Sequence, residues 1–70
     1  MRMPDLARTI GARIRKRRIE LALSQERLGE LCGLHRTYVG ALERGEKNVT
    51  VVTLGKIAAA LGKPLGDFLE

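Results

Sequence analysis

Catalysis needs a nucleophile, a base or a metal shell, and this chain of 70 residues offers little toward any of them. There is one histidine, His35, and one cysteine, Cys32. With no convergent pair of carboxylates and no glycine-rich phosphate loop, no residue can be assigned as nucleophile or base, and an enzyme is not expected. The two side chains cannot complete a four-ligand structural zinc shell, and a lone thiol forms no internal disulfide. No metal and no cofactor is expected. What the chain does hold is positive charge, 13 Lys and Arg against 8 Asp and Glu for a formal net charge of +5. The excess lies in residues 1–22, where Asp5 and Glu20 are the acidic residues, while residues 23–47 and 48–70 are each balanced. Such a chain suits an anionic partner, nucleic acid first and an acidic membrane surface second.

The most informative stretch runs from residue 25 to residue 44, where small, glycine and apolar residues recur at offsets with a steric meaning. Gly29 is small where two helices must approach closely, and Gly33 can take the positive φ of a sharp turn. Leu28, Leu34, Val39 and Leu42 supply an apolar wedge between the two helices.

The elements that must position this unit are helical throughout, since no alternating strand pattern persists and the one β-rich patch, residues 49–53, is short. Asp5 behind Pro4 caps a first helix over residues 5–22, with Leu6, Ile10, Ile14 and Leu21 on one stripe together with Ala7, Gly11 and Arg18. Arg18 is thus a charge aimed at the core, and it needs a partner there. Ser24 is the N-cap of a second helix (24–32) that Gly33 ends. A third helix follows at 36–43, then a polar turn through Arg44, Lys47 and Asn48. Thr50 caps a fourth (51–61), stopped by Gly62, and Pro64 begins a short fifth (64–69). The expected fold is all-α, one compact five-helix bundle spanning residues 1–70 and containing a helix-turn-helix. Its core must be aliphatic, because Tyr38 and Phe68 are the only aromatics.

Within this frame the strings Leu23-Ser24-Gln25 into Leu28, Gly33-Leu34-x-Arg36-Thr37-Tyr38-Val39, Glu43-Arg44-Gly45, Asn48-Val49-Thr50 and Ala60-Leu61 stand together. With them the chain resembles, over essentially its whole length, the Cro and phage-repressor (XRE) type of helix-turn-helix protein, whose DNA-binding domains are lambda-repressor-like. The Arg-Thr-Tyr and Asn-Val-Thr segments make it most similar to the small controller proteins of restriction–modification systems.

The resemblance implies that the helix starting at Arg36 enters the major groove of double-stranded DNA while the helix opening at Gln25 crosses the backbone. Arg36 can then donate two hydrogen bonds to guanine and Thr37 can meet a thymine methyl or a base acceptor, with His35 a third candidate base contact. Ser24, Gln25, Tyr38, Arg44, Lys47 and Asn48 are the candidate backbone contacts. The family pattern also pairs Arg18 with Glu43 as an internal ion pair, and the resemblance favours a homodimer through Leu65, Phe68 and Leu69. His35 departs from the pattern, which usually has Thr, Ser or Asp before the recognition helix, so a weaker cap is expected. Arg8, Arg13, Arg15, Lys16 and Arg17 are expected to be a solvated face that steers DNA.

The function expected is therefore a sequence-specific transcriptional regulator, dimeric on an inverted repeat, with RNA polymerase as a further partner. The competing reading is an antitoxin or other protein-interaction module whose helix-turn-helix serves autoregulation. The longest apolar run, residues 57–61, is far short of the roughly 20 residues that span a bilayer. No apolar signal-peptide stretch stands at the N-terminus, and a single free cysteine suits a reducing compartment, so a cytoplasmic location without membrane contact is expected.

Overall fold

An aliphatic core in so short a chain has to be assembled by several helices, each burying one stripe against the others. The computed structural model describes residues 3–70; Arg2, part of the cationic first segment, lies outside them. The described residues form α1 (Met3–Glu20), α2 (Gln25–Cys32), α3 (Arg36–Glu43), α4 (Val51–Ala60) and α5 (Gly66–Leu69). No strand occurs among them. Ile10 and Ile14 from α1 meet Leu28 and Cys32 from α2, Val39 and Leu42 from α3, Leu54, Ile57 and Ala58 from α4, then Leu61 and Phe68. Each fully buried Leu or Ile contributes about 1.5–3 kcal/mol. Helix α1 packs on α3 and α5, and α2 packs on α3 and α4.

Four helix boundaries, in α1, α4 and α5, differ from the sequence-based expectation, each for a local reason. Helix α1 begins before Asp5, which sits in its first turn instead of capping it. It also ends earlier, because the Ala22 and Leu23 N–H groups turn back onto the carbonyls of Ile19 and Arg18, and Ala22 takes a left-handed φ of 56°. Leu21 therefore leaves the apolar stripe and is exposed in the turn. Helix α4 stops at Ala60, where the Lys63 N–H closes on Ala58 O across Gly62. Helix α5 starts at Gly66 and not at Pro64, whose carbonyl accepts the Asp67 N–H in a tighter turn.

The α2–α3 unit depends on two glycines. Gly33 ends α2 with φ 72°, and its N–H and that of Leu34 both return to Gly29 O. A Cβ at Gly29 would overlap the Leu34 carbonyl oxygen, so the turn closes only over a hydrogen atom. Gly11 has the same role between α1 and α3, where a Cβ would overlap the carbonyls of Leu42 and Glu43. By contrast, Gly55 lies within α4 with nothing near its missing side chain. Gly29→Ala is expected to cost about 1–3 kcal/mol through forced displacement of the turn, whereas Gly55→Ala should raise stability by about 0.5–1 kcal/mol. Urea unfolding followed by circular dichroism measures both.

Candidate nucleic-acid interface

Positioning α3 begins with a charge network beneath it. Arg18 Nε donates to Glu43 Oε2 at 2.6 Å, and its second terminal nitrogen donates to Glu43 Oε1 at 2.9 Å. The remaining terminal nitrogen donates to the Leu23 carbonyl at 2.8 Å. Gln25 Nε2 adds a 3.1 Å donation to Glu43 Oε1. The Glu43 side chain is 1% exposed and that of Arg18 11%, so this is a desolvated pair in which both carboxylate oxygens accept charge-assisted or amide hydrogen bonds. Hydrogen bonding to Glu43 holds the Arg18 guanidinium above its ordinary pKa against the opposing effect of burial.

Gln25 thus sits differently from the sequence expectation. Its amide nitrogen is turned inward to the ion pair, donating to Glu43 Oε1. Ser24 caps α2, its Oγ accepting from the Arg27 N–H at 2.9 Å. His35 caps α3 in the same manner: Nδ1 accepts from the Thr37 N–H at 3.0 Å. A ring nitrogen here replaces the hydroxyl or carboxylate expected at a cap, and the bond implies that the hydrogen of the neutral ring is on Nε2.

Around this cap the polar side chains of α3 open to solvent. His35, Arg36 and Thr37 are exposed, and Tyr38 is half-buried against the core. Arg36 lies 3.4 Å from Glu26 on α2, both side chains about two-thirds exposed, a contact that contributes little and opens easily. After α3, Arg44 is held more firmly: Nε and a terminal nitrogen donate to the two Glu46 oxygens at 2.9 and 3.1 Å. Arg44 hydrogen bonding draws the Glu46 carboxyl below its ordinary pKa, and Glu46 raises that of Arg44 in return. Lys47 and Asn48 are exposed beyond the pair. The sequence reading missed both glutamates as partners of these arginines. For Glu46 the signal was present in Arg44-Gly45-Glu46, where a glycine between opposite charges lets the chain reverse.

Elsewhere the expected groups separate. Arg17 is not part of a solvated face: its Nε donates to Leu61 O at 2.9 Å, holding the end of α4. Phe68, expected at a dimer surface, is 2% exposed and belongs to the core, because α5 is too short to bury an aromatic ring anywhere but against α1. Leu65 is half-buried and Leu69 is 44% exposed. Val51 and Val52, at the start of α4, are about 70% exposed. Burial pushes the Cys32 thiol above its ordinary pKa, against a smaller opposing effect of Lys56. Among the described residues no helix is long and apolar enough to cross a membrane, and no group of three or more His, Cys, Asp or Glu could hold a metal.

Two helices locked at a glycine turn, with the polar start of the second left open over a rigid bundle, define a helix-turn-helix DNA-binding domain. The chain belongs to the helix-turn-helix family (HTH_3), which it matches over residues 14–68. It is 47% identical over 65 residues to the control protein C.SmaI of Serratia marcescens, covering 93% of this chain and 77% of that protein. To the control protein C.BamHI of Bacillus amyloliquefaciens it is 41% identical over 61 residues, covering 86% and 75%. The crystal structure of the restriction–modification controller protein C.AhdI from Aeromonas hydrophila matches with a TM-score of 0.91 at 38% identity, over 97% of this chain and 99% of that one. The chain is a DNA-binding transcriptional regulator of the XRE type, similar to restriction–modification controller proteins.

Two outcomes are expected from the buried groups. Arg18→Met and Glu43→Gln should each cost about 3–5 kcal/mol by leaving a desolvated group without its partner. The double variant should lose no more than either single one, a non-additivity read directly from a double-mutant cycle in urea. Cys32, screened and held protonated, should react with a thiol reagent at neutral pH far more slowly in the folded protein than in urea.

Proposed function

We propose that this regulator reads DNA through the start of α3, as a dimer on an inverted repeat. The observation that carries the reading is the division of polar groups around α3. Glu43 and Gln25 are spent on the internal network, while Arg36 and Thr37 stand exposed at the opposite end of the same short helix. An arginine there is free to leave Glu26 and form a bidentate pair with guanine O6 and N7. Thr37 then contacts a neighbouring thymine methyl or base acceptor, and His35 offers Nε2–H while Nδ1 keeps its cap. Ser24, Gln25, Tyr38, Arg44, Lys47 and Asn48 grip phosphates on either side and fix register without reading sequence.

Dimerisation runs through α5. With Phe68 committed to the core, the contact falls to Leu65 and Leu69, and Leu69→Asp should shift the protein to monomer in sedimentation velocity. A dimer places two copies of α3 about one helical turn apart on the duplex. Its occupancy is set through its own concentration, by dimerisation and cooperative binding, in the cytoplasm and at promoters where RNA polymerase is a further partner. No catalytic step enters this reading.

Selection of bound duplexes from a random pool tests it. The expected result is an inverted repeat with half-sites about 10–11 base pairs apart. Arg36→Ala should then lose about 1–3 kcal/mol of discrimination at one base position of each half-site. A pool with no enriched sequence would refute the reading and favour a protein partner for the helix-turn-helix.

A further inference from the structure

The turn after α3 pairs two exposed side chains of opposite charge, Arg44 and Glu46. Gly45 takes φ 74°, and the Gly45 and Glu46 N–H groups close back on Leu42 O and Ala41 O at 3.1 and 3.0 Å. Gly45 is also wedged against α1, since a Cβ there would meet the Arg8 backbone at 2.8–3.0 Å. The backbone of residues 44–46 is therefore held by the bundle, and it brings the Arg44 and Glu46 side chains together in a two-bond fork. Both side chains are more than half exposed, so the pair contributes nothing to the core. A guanidinium occupied on two nitrogens by a carboxylate is not available to present that same edge to a phosphate.

We propose that Glu46 is an internal competitor for the phosphate grip of Arg44, lowering the affinity of the domain for all duplexes without altering which sequence it prefers. The proposal rests on the reading that this turn faces the DNA backbone. Phosphate must displace the Glu46 carboxylate before Arg44 can bind, and the displaced carboxylate remains a negative charge beside the strand. Because phosphate contacts carry no sequence information, the cost falls equally on cognate and non-cognate DNA. Glu46 is thus a positioning residue that sets how much of the protein is DNA-bound at a given concentration and salt.

The test compares wild type, Glu46→Gln, Arg44→Ala and the double variant for binding to a duplex selected by the wild-type protein and to a scrambled one, over a series of salt concentrations. Both positions of the cycle carry exposed side chains, and thermal unfolding by circular dichroism checks that each variant is folded. Glu46→Gln is expected to tighten binding to both duplexes by the same factor, roughly two- to five-fold per bound copy, the range that an exposed ion pair can hold back. Its log–log salt slope should steepen by about 0.9 per copy, the signature of one additional phosphate neutralised. The gain should shrink in the Arg44→Ala background to what removing one negative charge beside the strand leaves. Unchanged affinity and slope in Glu46→Gln would overturn the proposal, as would a gain that persists undiminished without Arg44. A wild-type protein that binds both duplexes equally defeats the sequence-specific reading alone, since the effect of Glu46 is still read on either duplex. One that binds neither, even at low salt, defeats both.

Discussion

A carboxylate that is almost wholly removed from water has to be matched by a cation that is equally held in place, and Glu43 with Arg18 satisfies that requirement at the junction of three helices. Both oxygens of Glu43 receive N–H groups from Arg18, and one of them also receives the amide of Gln25. The third arm of the guanidinium holds the Leu23 carbonyl. The pair consequently ties the end of α1, the turn that follows it, the start of α2 and the end of α3 into one unit. Geometry and charge reinforce each other, because the same stretch of α3 that carries Glu43 also approaches α1 over the bare Cα of Gly11. Desolvating two charges is costly, so such a pair is a poor source of net stability, but its demand for a single geometry is strict. That demand reaches the opposite end of α3, only seven residues away, where Arg36 and Thr37 project.

The cations of this chain divide by burial into two kinds of work. Arg17 and Arg18 are turned inward, one to the end of α4 and one to Glu43. Arg36 and Arg44 are turned outward, each against an exposed carboxylate. Residues 23–47 carry no net charge although they hold the helix-turn-helix. The positive excess lies in residues 1–22, while Arg36 and Arg44 each meet a local carboxylate. Arrangements of this kind separate the encounter with DNA, which net charge accelerates, from the contacts that form after register is found.

Much of the fold follows from strictly local rules. Ser24 and Thr50 stand at N-caps, Gly33 and Gly62 take left-handed φ at helix ends, and the apolar spacing of α4 turns Leu54, Ile57 and Ala58 inward. These features depend on a few neighbouring residues, and a sequence displays neighbours. The boundaries that escaped prediction depend on partners farther away. Helix α1 ends at Glu20 in a turn whose Leu23 carbonyl is also required by Arg18, and Ala22 adopts the left-handed region that its side chain does not favour. Leu21 carries the right spacing for the apolar stripe and is nevertheless exposed, since the helix that would bury it has already stopped.

By itself the sequence determined that the chain is helical and which segment is the helix-turn-helix, and its charge pointed to an anionic partner, because glycines, caps, apolar periods and net charge act locally or in sum. Only the tertiary structure decided how polar groups are shared out. It assigned the Gln25 amide to the buried carboxylate, turned Arg17 to the end of α4 and drew Phe68 into the core. The physical reason is that a side chain with several donors or a large apolar face can be satisfied in more than one way. Which way it is satisfied depends on distances set by packing, and those are absent from residue order.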